Sequence, residues 1–266
     1  MSKCNYLVSI IIINYNNTKY LERAINSSLN QTYQNIEILV FDDKSEEKIF
    51  KIEEKFNLNT KVKFFHNENK KTGIAAIDAG NAYDFLIKKS NGELIFLLDS
   101  DDYFHEEKVN FIKDIFDKNE NISFIQNLNS IKNKVDIKIL KTNSKFSYWP
   151  YFAPESCISF RKDFYKRYKE KADFLSKSFN DLWLGFRMGV FAFYVGKNFY
   201  QINKILTYYE NFGESLKYKT LNYNWWQRRK NSFEFAYKIS NRIRMLINFD
   251  YLITSIVVYI LNIFKK

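Results

Sequence analysis

Three carboxylates stand within four residues of this sequence, directly after the apolar run 94–98. They belong to Asp99, Asp101 and Asp102, with Ser100 between the first two. Carboxylates this close repel one another unless a cation or hydrogen-bond donors compensate their charge. The oxygens of an Asp-x-Asp pair are hard ligands that suit Mg²⁺ or Mn²⁺, and these ions often share a phosphate. We therefore predict a divalent cation site here; an acidic turn that caps the next helix is the alternative.

The run before these acids is typical of a strand buried on both faces, and the runs 8–13 and 36–41 share its character. Helical apolar spacing separates the runs, and strands that alternate with helices predict a doubly wound, mostly parallel α/β sheet. Ligands of such sheets bind outside the carboxyl ends of the strands. Residues at these ends should share one crevice. Besides the acids above, they are Asn14, Tyr15 and Asn16 after the first run, and Asp42 and Asp43 after the second.

The remaining periodicity predicts the other elements. Helices are expected at about 45–56 with Ser45 as the cap, at 73–89, around 109–116, and from Asn180-Asp181 to near Gly189. Extended segments are expected at 62–65, 123–126, 156–160, 191–195 and 202–209, and a loop or irregular hairpin at 127–150.

Composition excludes several classes of protein. Of the 266 residues, 46% are hydrophobic, which is enough for a real core and argues against disorder. Seven Gly and two Pro argue against a turn-dense sandwich. Cys4 and Cys157 provide neither a disulfide framework nor a metal-binding spacing, which fits a reducing compartment. No signal peptide is recognisable, so a cytoplasmic location is expected. The net charge of +11 requires a partner or another reason, and nucleic acid, an anionic membrane and a phosphorylated substrate are candidates.

The basic excess is concentrated near the carboxyl terminus, which divides the chain into a body, 1–215, and an extension, 216–266. Residues 217–244 contain eight basic residues and one acidic residue, and apolar residues at helical spacing follow from Leu246. Asp250 and Asn262 bracket an uninterrupted stretch shorter than the roughly 20 residues of a spanning helix. Two interpretations remain open. One is an amphipathic helix that lies in an anionic membrane surface, which would place the protein peripherally on its cytoplasmic face; the other is a helix docked on the body or on a second subunit.

Taken in order, these motifs resemble the family 2 glycosyltransferases with the GT-A fold, over roughly residues 6–215. The similar segments are 9–16 (opening strand), 20–33 with its closing Gln31-Thr32-Tyr33, 36–45 (second strand and acidic turn), 92–102 (strand and Asp-x-Asp motif) and 180–187 (a later helix start). Departures include Lys44 before Ser45 and Asn180 in place of the common Glu. A Gln-x-x-Arg-Trp motif is absent from the sequence, which argues against a processive synthase.

The resemblance implies an inverting enzyme that takes a sugar from a nucleotide-sugar, with UDP as the expected nucleotide. Its acceptor would be a glycan or lipid-linked saccharide of surface-polysaccharide or lipopolysaccharide-type biosynthesis. The donor would bind to the half at about 1–103 and the acceptor to the half at about 104–215.

The resemblance also implies roles for particular residues. Asp181 would be the general base, with an ordinary helix cap as the alternative. Asp101, assisted by Asp99 and Asp102, would hold Mg²⁺ or Mn²⁺ against the diphosphate. Asn14, Tyr15, Asn16, Asp42, Asp43, Asp99 and Ser100 would line the nucleotide-sugar site.

Two rival functions remain. A phosphatase of the haloacid dehalogenase type also uses Asp-x-Asp after a strand, but its motif normally continues with Thr or Val where Tyr103 stands. A non-enzymatic basic protein that binds nucleic acid would use residues 217–244, but it leaves the acids at the strand ends unexplained. We therefore do not expect nucleic acid as the partner, and the sequence does not specify the oligomeric state.

Overall fold

A computed structural model of the chain describes residues 5–131, 134–135, 152–175, 178–210 and 222–264. Its strands form one mixed sheet. They are β1 (Val8–Asn14), β2 (Ile36–Asp42), β3 (Val62–His66), β4 (Leu94–Asp99), β5 (Tyr103–Phe104), β6 (Phe124–Ile131), β7 (Lys134–Val135), β8 (Ile158–Arg161) and β9 (Phe199–Tyr209). Across the sheet their order is β3-β2-β1-β4-β8-β6-β9-β5, and β7 pairs with β6.

The first half of the sheet is parallel. Strands β3, β2, β1 and β4 run in one direction, and every residue of β1 and β2 is buried, as expected for strands covered on both faces. In the register of the strands, Asn14 lies beside Asp42, and Ile13 lies beside Asp99. The carboxyl ends of three strands therefore meet at one edge, where the parallel-sheet prediction placed them.

Helices cover both faces of the sheet because alternate strand residues point to opposite sides. Ile10 and Ile12 pack in one core with residues of α1, α2 and α4, whereas Ile11 and Ile13 pack in a second core with residues of α3, α5, α6 and α7. The helices are α1 (Thr18–Leu29), α2 (Phe50–Phe56), α3 (Ala75–Lys89), α4 (Lys108–Lys118), α5 (Lys162–Ala172), α6 (Leu184–Phe191), α7 (Tyr223–Ser240) and α8 (Phe249–Ile263).

The second half of the sheet is mixed and curls back toward the first. β8 is antiparallel to both β4 and β6, whereas β9 is parallel to β6 and antiparallel to β5. Only residues 100–102 separate β4 from β5, although β5 lies at the far edge of the sheet. Because so short a link spans at most about 14 Å, the far edge must curl back to the end of β4. The acidic loop 100–102 is the link that joins the two halves.

The carboxyl-terminal helices α7 and α8 form a hairpin on the second core. Phe235, Ala236 and Ile239 of α7 are buried in that core. Asn241, in the left-handed conformation at φ 55°, ends α7. Within the described residues, no helix is both long enough and apolar enough to span a membrane.

Several elements differ from the sequence predictions. The second helix begins at Phe50 instead of Ser45, because the Ser45 side chain hydrogen-bonds the end of β2. Helix α6 begins at Leu184, beyond Asn180 and Asp181. The segment 191–195, predicted to be extended, continues α6 as a π-helical turn at Ala192–Gly196. Residues 127–131, predicted to be a loop, extend β6. The proposed boundary at residue 215 and most of 132–150 lie outside the described residues.

Candidate active site

The Asp42 carboxylate is buried in a hydrogen-bonded network at the ends of β1 and β2. Its Oδ1 accepts from Asn14 Nδ2 at 2.9 Å and from Ser45 Oγ at 2.6 Å, and its Oδ2 accepts from the backbone N of Ser45 at 3.3 Å. Ser45 Oγ in turn accepts from the backbone N of Asn16 at 3.0 Å. Within the described residues, Asn14 Oδ1 is buried without a hydrogen-bond partner. This network holds Asn14, Asn16, Asp42 and Ser45 in fixed positions. We call it the rigid floor, and among the residues that the structure describes Asn14 Oδ1 is its unpaired acceptor.

A cation and an aromatic ring lie beside this floor. Asp43 accepts from Asn67 Nδ2 at 2.5 Å and pairs with Lys71 Nζ at 2.8 Å. The same ammonium lies 3.0 Å from the centroid of the Tyr15 ring, and Tyr15 is 48% exposed. Asp43 therefore positions Lys71 against Tyr15. A lysine held over an exposed ring presents positive charge and an aromatic face to a ligand.

Asp99, at the end of β4, is surrounded by other carboxyl groups. Its Oδ1 accepts from Tyr83 Oη at 2.7 Å. Burial raises the pKa of Asp99 well above its ordinary value, and the carboxylates of Glu155, Asp102 and Asp101 raise it further. The hydrogen bond from Tyr83 lowers this pKa. A group with several negative neighbours and few donors is one that a bound cation would stabilise in its ionised form.

The next acids differ in accessibility. Asp101 is 9% exposed, and burial raises its pKa while Arg23 opposes the rise. Asp102 is fully buried: its Oδ1 accepts from the backbone N of Glu210 at 3.0 Å, and its Oδ2 is without a hydrogen-bond partner in the described part of the chain. Burial, and then Asp101, raise the pKa of Asp102 to about 7. Ser100 is buried, and its backbone N donates to Ile13 O at 3.1 Å.

A buried lysine lies next to Asp102 of the acidic loop. Lys108, at the start of α4, is fully buried, and its Nζ donates to Ser156 O at 2.6 Å and to Thr207 Oγ1 at 2.9 Å. It also lies 3.7 Å from the centroid of the Phe104 ring. Burial lowers the pKa of Lys108 to about 7, whereas the neighbouring Asp102 opposes that change. Lys108 therefore connects the segment that precedes β8 with β9, next to the acidic loop.

Arg23 of α1 also contacts the acidic loop and connects it with neighbouring elements. Its NH1 pairs with Glu210 Oε1 at 2.5 Å, and its NH2 donates to Asp101 O at 2.5 Å. Its guanidinium lies 4.4 Å from the centroid of the Tyr103 ring. The backbone of Asp101 is therefore held between α1 and the end of β9.

Glu155 lies between the acidic loop and the start of α6. Its Oε1 accepts from the backbone N of Gly185 at 3.1 Å, which satisfies a free N–H in the first turn of α6. Burial raises the pKa of Glu155, and Arg187 opposes the rise. Since Glu155 also neighbours Asp99, it connects β4 with the segment that carries Asp181.

Asp181 is half-buried and contacts the carboxyl-terminal hairpin. Its Oδ2 accepts from Asn231 Nδ2 at 3.2 Å. Asn231 Oδ1 accepts from Gln227 Nε2 at 2.9 Å, and Gln227 Oε1 accepts from Tyr223 Oη at 3.2 Å. This ladder along α7 fixes which end of the Asn231 amide faces Asp181. Asp181 is not the cap of α6, whose N-cap is Trp183.

Two cavities are found in the part of the chain that the structure describes. One of about 230 Å³ lies between α3, α5 and α6 and is lined by Asn180, Arg187 and Gly80 among others. A larger one of about 760 Å³ is lined by Gly92, Glu93 and Arg161 among others. Gly92 and Glu93 precede β4, so the larger cavity lies at the amino end of that strand, away from the acids. The smaller cavity is lined by Asn180, the neighbour of Asp181 in the sequence, but by none of the acids that follow β2 and β4.

The carboxylates fit a cation that is shared with a ligand. Among the described residues, no three His, Cys, Asp or Glu side chains already converge as a metal-binding set. Mg²⁺, however, is usually held by one or two carboxylates together with waters and substrate phosphates. The buried free oxygen of Asp102 and the raised pKa values of Asp99 and Asp101 fit such a site.

Several groups of this site could not be identified from the sequence. They are Arg23, Tyr83, Lys108, Glu155 and Asn231. Their partners lie far away in the chain, and in most cases no motif marks them. Lys108 is an exception, because a lysine in the first turn of a helix opposes the macrodipole and so indicates an unusual environment.

Comparison with known proteins identifies relatives of this chain. A family profile described as "Glycosyl transferase family 2" matches residues 9–193. The uncharacterized glycosyltransferase RC0461 of Rickettsia conorii is 36% identical over 115 residues, which cover 43% of this chain and 18% of that protein. Glycosyltransferase GlyG of Streptococcus pneumoniae is 36% identical over 104 residues, covering 39% and 33%. Chondroitin synthase of Escherichia coli is 33% identical over 124 residues, covering 46% and 17%. The matched part thus spans a third or less of each of these relatives.

Solved structures share the fold. TarS 1-349 of S. aureus, in complex with UDP, has a TM-score of 0.62 at 17% identity over 96% of this chain and 70% of that one. Mannosyltransferase PcManGT from Pyrobaculum calidifontis, in complex with GDP-Man and Mn2+, has a TM-score of 0.62 at 11% identity over 97% and 73%. The predicted GT-A-type α/β architecture is therefore confirmed.

Proposed function

The chain belongs to glycosyl transferase family 2, and on that basis we propose that it transfers a sugar from a nucleotide-diphosphate donor to a saccharide acceptor with inversion. UDP is the nucleotide we expect, since TarS was solved with UDP and with UDP-GlcNAc. The acceptor is a glycan or lipid-linked saccharide of surface-polysaccharide or lipopolysaccharide-type biosynthesis. Similarity to a protein named chondroitin synthase supports a polysaccharide product.

One observation carries the proposal: Asp42 at the end of β2 and Asp99 at the end of β4 flank Asn14 at the end of β1, and the pKa values of Asp99, Asp101 and Asp102 are raised. Without a compensating cation, burial and mutual repulsion favour the protonated forms of these acids. A divalent cation, Mg²⁺ or Mn²⁺, bound by Asp101 with Asp99 and Asp102 would neutralise the charge that develops on the leaving diphosphate. Asp102 is the fully buried residue of the acidic loop, so it would assist by orienting the loop through its hydrogen bond from Glu210 N and by adding negative charge.

The nucleotide binds on the side of the site formed by β1 and β2. The rigid floor on this side includes the buried Asn14 and Asp42 and the exposed Asn16. Tyr15 presents its half-exposed ring, and Asp43 positions Lys71 beside it to face a phosphate. Ser100, at the start of the acidic loop, completes the edge beside Asp99.

Asp181 is the general base that accepts the proton of the attacking acceptor hydroxyl. Asn231 donates to its Oδ2 and leaves Oδ1 available for that proton. Glu155, which contacts the first turn of α6 and neighbours Asp99, connects this base with the donor side. An inverting displacement needs one such base, because charge neutralisation at the diphosphate replaces a general acid.

A thermal-shift panel tests the proposal. Nucleoside mono- and diphosphates of each base are added with Mn²⁺, with Mg²⁺ or with a chelator. One diphosphate at about one hundred times its Kd should stabilise the chain by about 2.7 kcal/mol, or about 5 °C, only when metal is present. No shift with any nucleotide would refute the proposal. Stabilisation by inorganic phosphate alone would favour the haloacid dehalogenase-type phosphatase, and stabilisation by nucleic acid would favour the basic binding protein.

A further inference from the structure

Helix α8 exposes an apolar face along its whole length. Phe249 and Tyr259 are each 69% exposed, Ile256 is 58% exposed, and Leu252, Ile260 and Ile263 lie on the same side. These positions are spaced by three or four residues, so they form a continuous stripe on the helix. A stripe of large apolar side chains without polar interruption marks an interaction surface.

Contacts between α7 and the opposite side of α8 keep this apolar face exposed to solvent. On the opposite side of α8, Thr254 and Val258 are buried against α7. Arg229 NH2 of α7 contacts both carboxylate oxygens of Asp250 at 2.6 Å, and the rings of Phe233 and Tyr251 lie 5.6 Å apart. Rotating α8 to bury the stripe would break these contacts. Its exposure is therefore a property of the folded hairpin.

Positive charge precedes the stripe in the sequence, and Arg242 NH2 also donates to Tyr194 O at 3.5 Å. Arg242 and Arg244 are exposed just before α8, and they alternate with Ile243 and Ile247, which are 53% and 64% exposed. Across residues 222–264 the sequence has six basic and two acidic residues. The one acidic residue of α8 is Asp250, which is already paired with Arg229. A second copy of the hairpin would thus offer an apolar surface but no free carboxylate on α8 for the arginines.

We propose that the α8 stripe and the arginines before it dock the protein onto an anionic lipid surface. In this arrangement acyl chains cover the apolar side chains, and phosphate headgroups pair with Arg242 and Arg244. Fifteen helical residues extend about 22 Å, which is shorter than the hydrocarbon core of a bilayer, so α8 lies in the interface and does not cross it. This surface follows residues 9–193, and it does not depend on the proposed reaction.

Vesicle flotation with the full chain tests the docking surface. The vesicles are phosphatidylcholine alone or phosphatidylcholine mixed with phosphatidylglycerol. Replacing Arg242 and Arg244 by Gln should weaken binding to the anionic vesicles about 25-fold, or about fivefold for each arginine. Ile256→Asp combined with Ile260→Asp should weaken it about one-hundredfold or more, since each buried isoleucine contributes about tenfold or more.

The control is Leu58→Asp, which changes an exposed leucine, 93% accessible, outside the hairpin. It should bind anionic vesicles as the wild type does. Equal unfolding temperatures for all variants would show that the hairpin remains folded. Failure of the wild type to float with anionic vesicles would overturn the proposal. So would a dimer, seen by analytical ultracentrifugation, that Ile256→Asp with Ile260→Asp dissociates while vesicle binding is unchanged.

Discussion

Lys108→Met should destabilise the protein because it removes the buried hydrogen-bond donor next to the acidic loop. The ammonium donates two hydrogen bonds, to Ser156 O and Thr207 Oγ1, and it neighbours the buried Asp102. Methionine preserves the side-chain volume, so the loss is mainly electrostatic. A hydrogen bond from a charged donor contributes about 1.5–3 kcal/mol, so the two together contribute about 3–6 kcal/mol. Ser156 O keeps its hydrogen bond from Thr207 Oγ1 at 3.0 Å, so we expect the lower end, about 3 kcal/mol.

Urea unfolding at neutral pH, followed by circular dichroism, measures this effect. For a chain of 266 residues, about 3 kcal/mol corresponds to about 6 °C in a parallel thermal experiment. The double variant Lys108→Met with Asp102→Asn should be more stable than the sum of the single effects by about 1–3 kcal/mol, because neither charge is then left alone. Additive effects would refute the coupling between Lys108 and Asp102. A wild-type urea midpoint for Lys108→Met would refute the contribution of Lys108 to stability.

Three further predictions concern other groups of the site. Asp181→Asn should reduce nucleoside diphosphate release in the presence of acceptor at least about one-hundredfold while leaving the nucleotide-induced thermal shift unchanged; loss of that shift would contradict its role as the base. Asn231→Leu should lower kcat about tenfold with the same thermal shift, because the Asp181 carboxylate loses the donor that orients it; an unchanged kcat would contradict this. Cys157 is buried and its pKa is raised to about 12, so in a Cys4→Ser variant an aromatic disulfide reagent should detect no thiol until the protein is unfolded; rapid reaction of the native protein would contradict this burial.

The parallel half of the sheet was predictable because its strands are continuous apolar runs that end in polar residues. That pattern depends on burial on both faces, which is a local property of each strand. The shared edge of Asn14, Asp42 and Asp99 then followed from the parallel direction alone.

Other features depend on contacts that the sequence pattern does not contain. Residues 191–195 are aromatic and apolar, which favours a strand, yet they continue α6 because strand preference yields to tertiary packing. Ser45 is a good helix cap by type, but Asp42 and Asn14 bind its hydroxyl. The Asn231 contact with Asp181 joins residues 50 positions apart, and a helix in the basic extension supplies it.

The most direct test of the account is a calorimetric titration with the nucleoside diphosphate selected by the thermal-shift panel. The wild type, Asp101→Asn and the control Asp163→Asn are compared with Mn²⁺ and with a chelator. Asp163 is an exposed acid paired with Arg167 on α5, so its replacement should leave binding unchanged. Our expectation is metal-dependent binding that Asp101→Asn weakens at least about one-hundredfold, as loss of a charged ligand implies. Equal affinity with and without metal, or equal affinity of Asp101→Asn and Asp163→Asn, would contradict it.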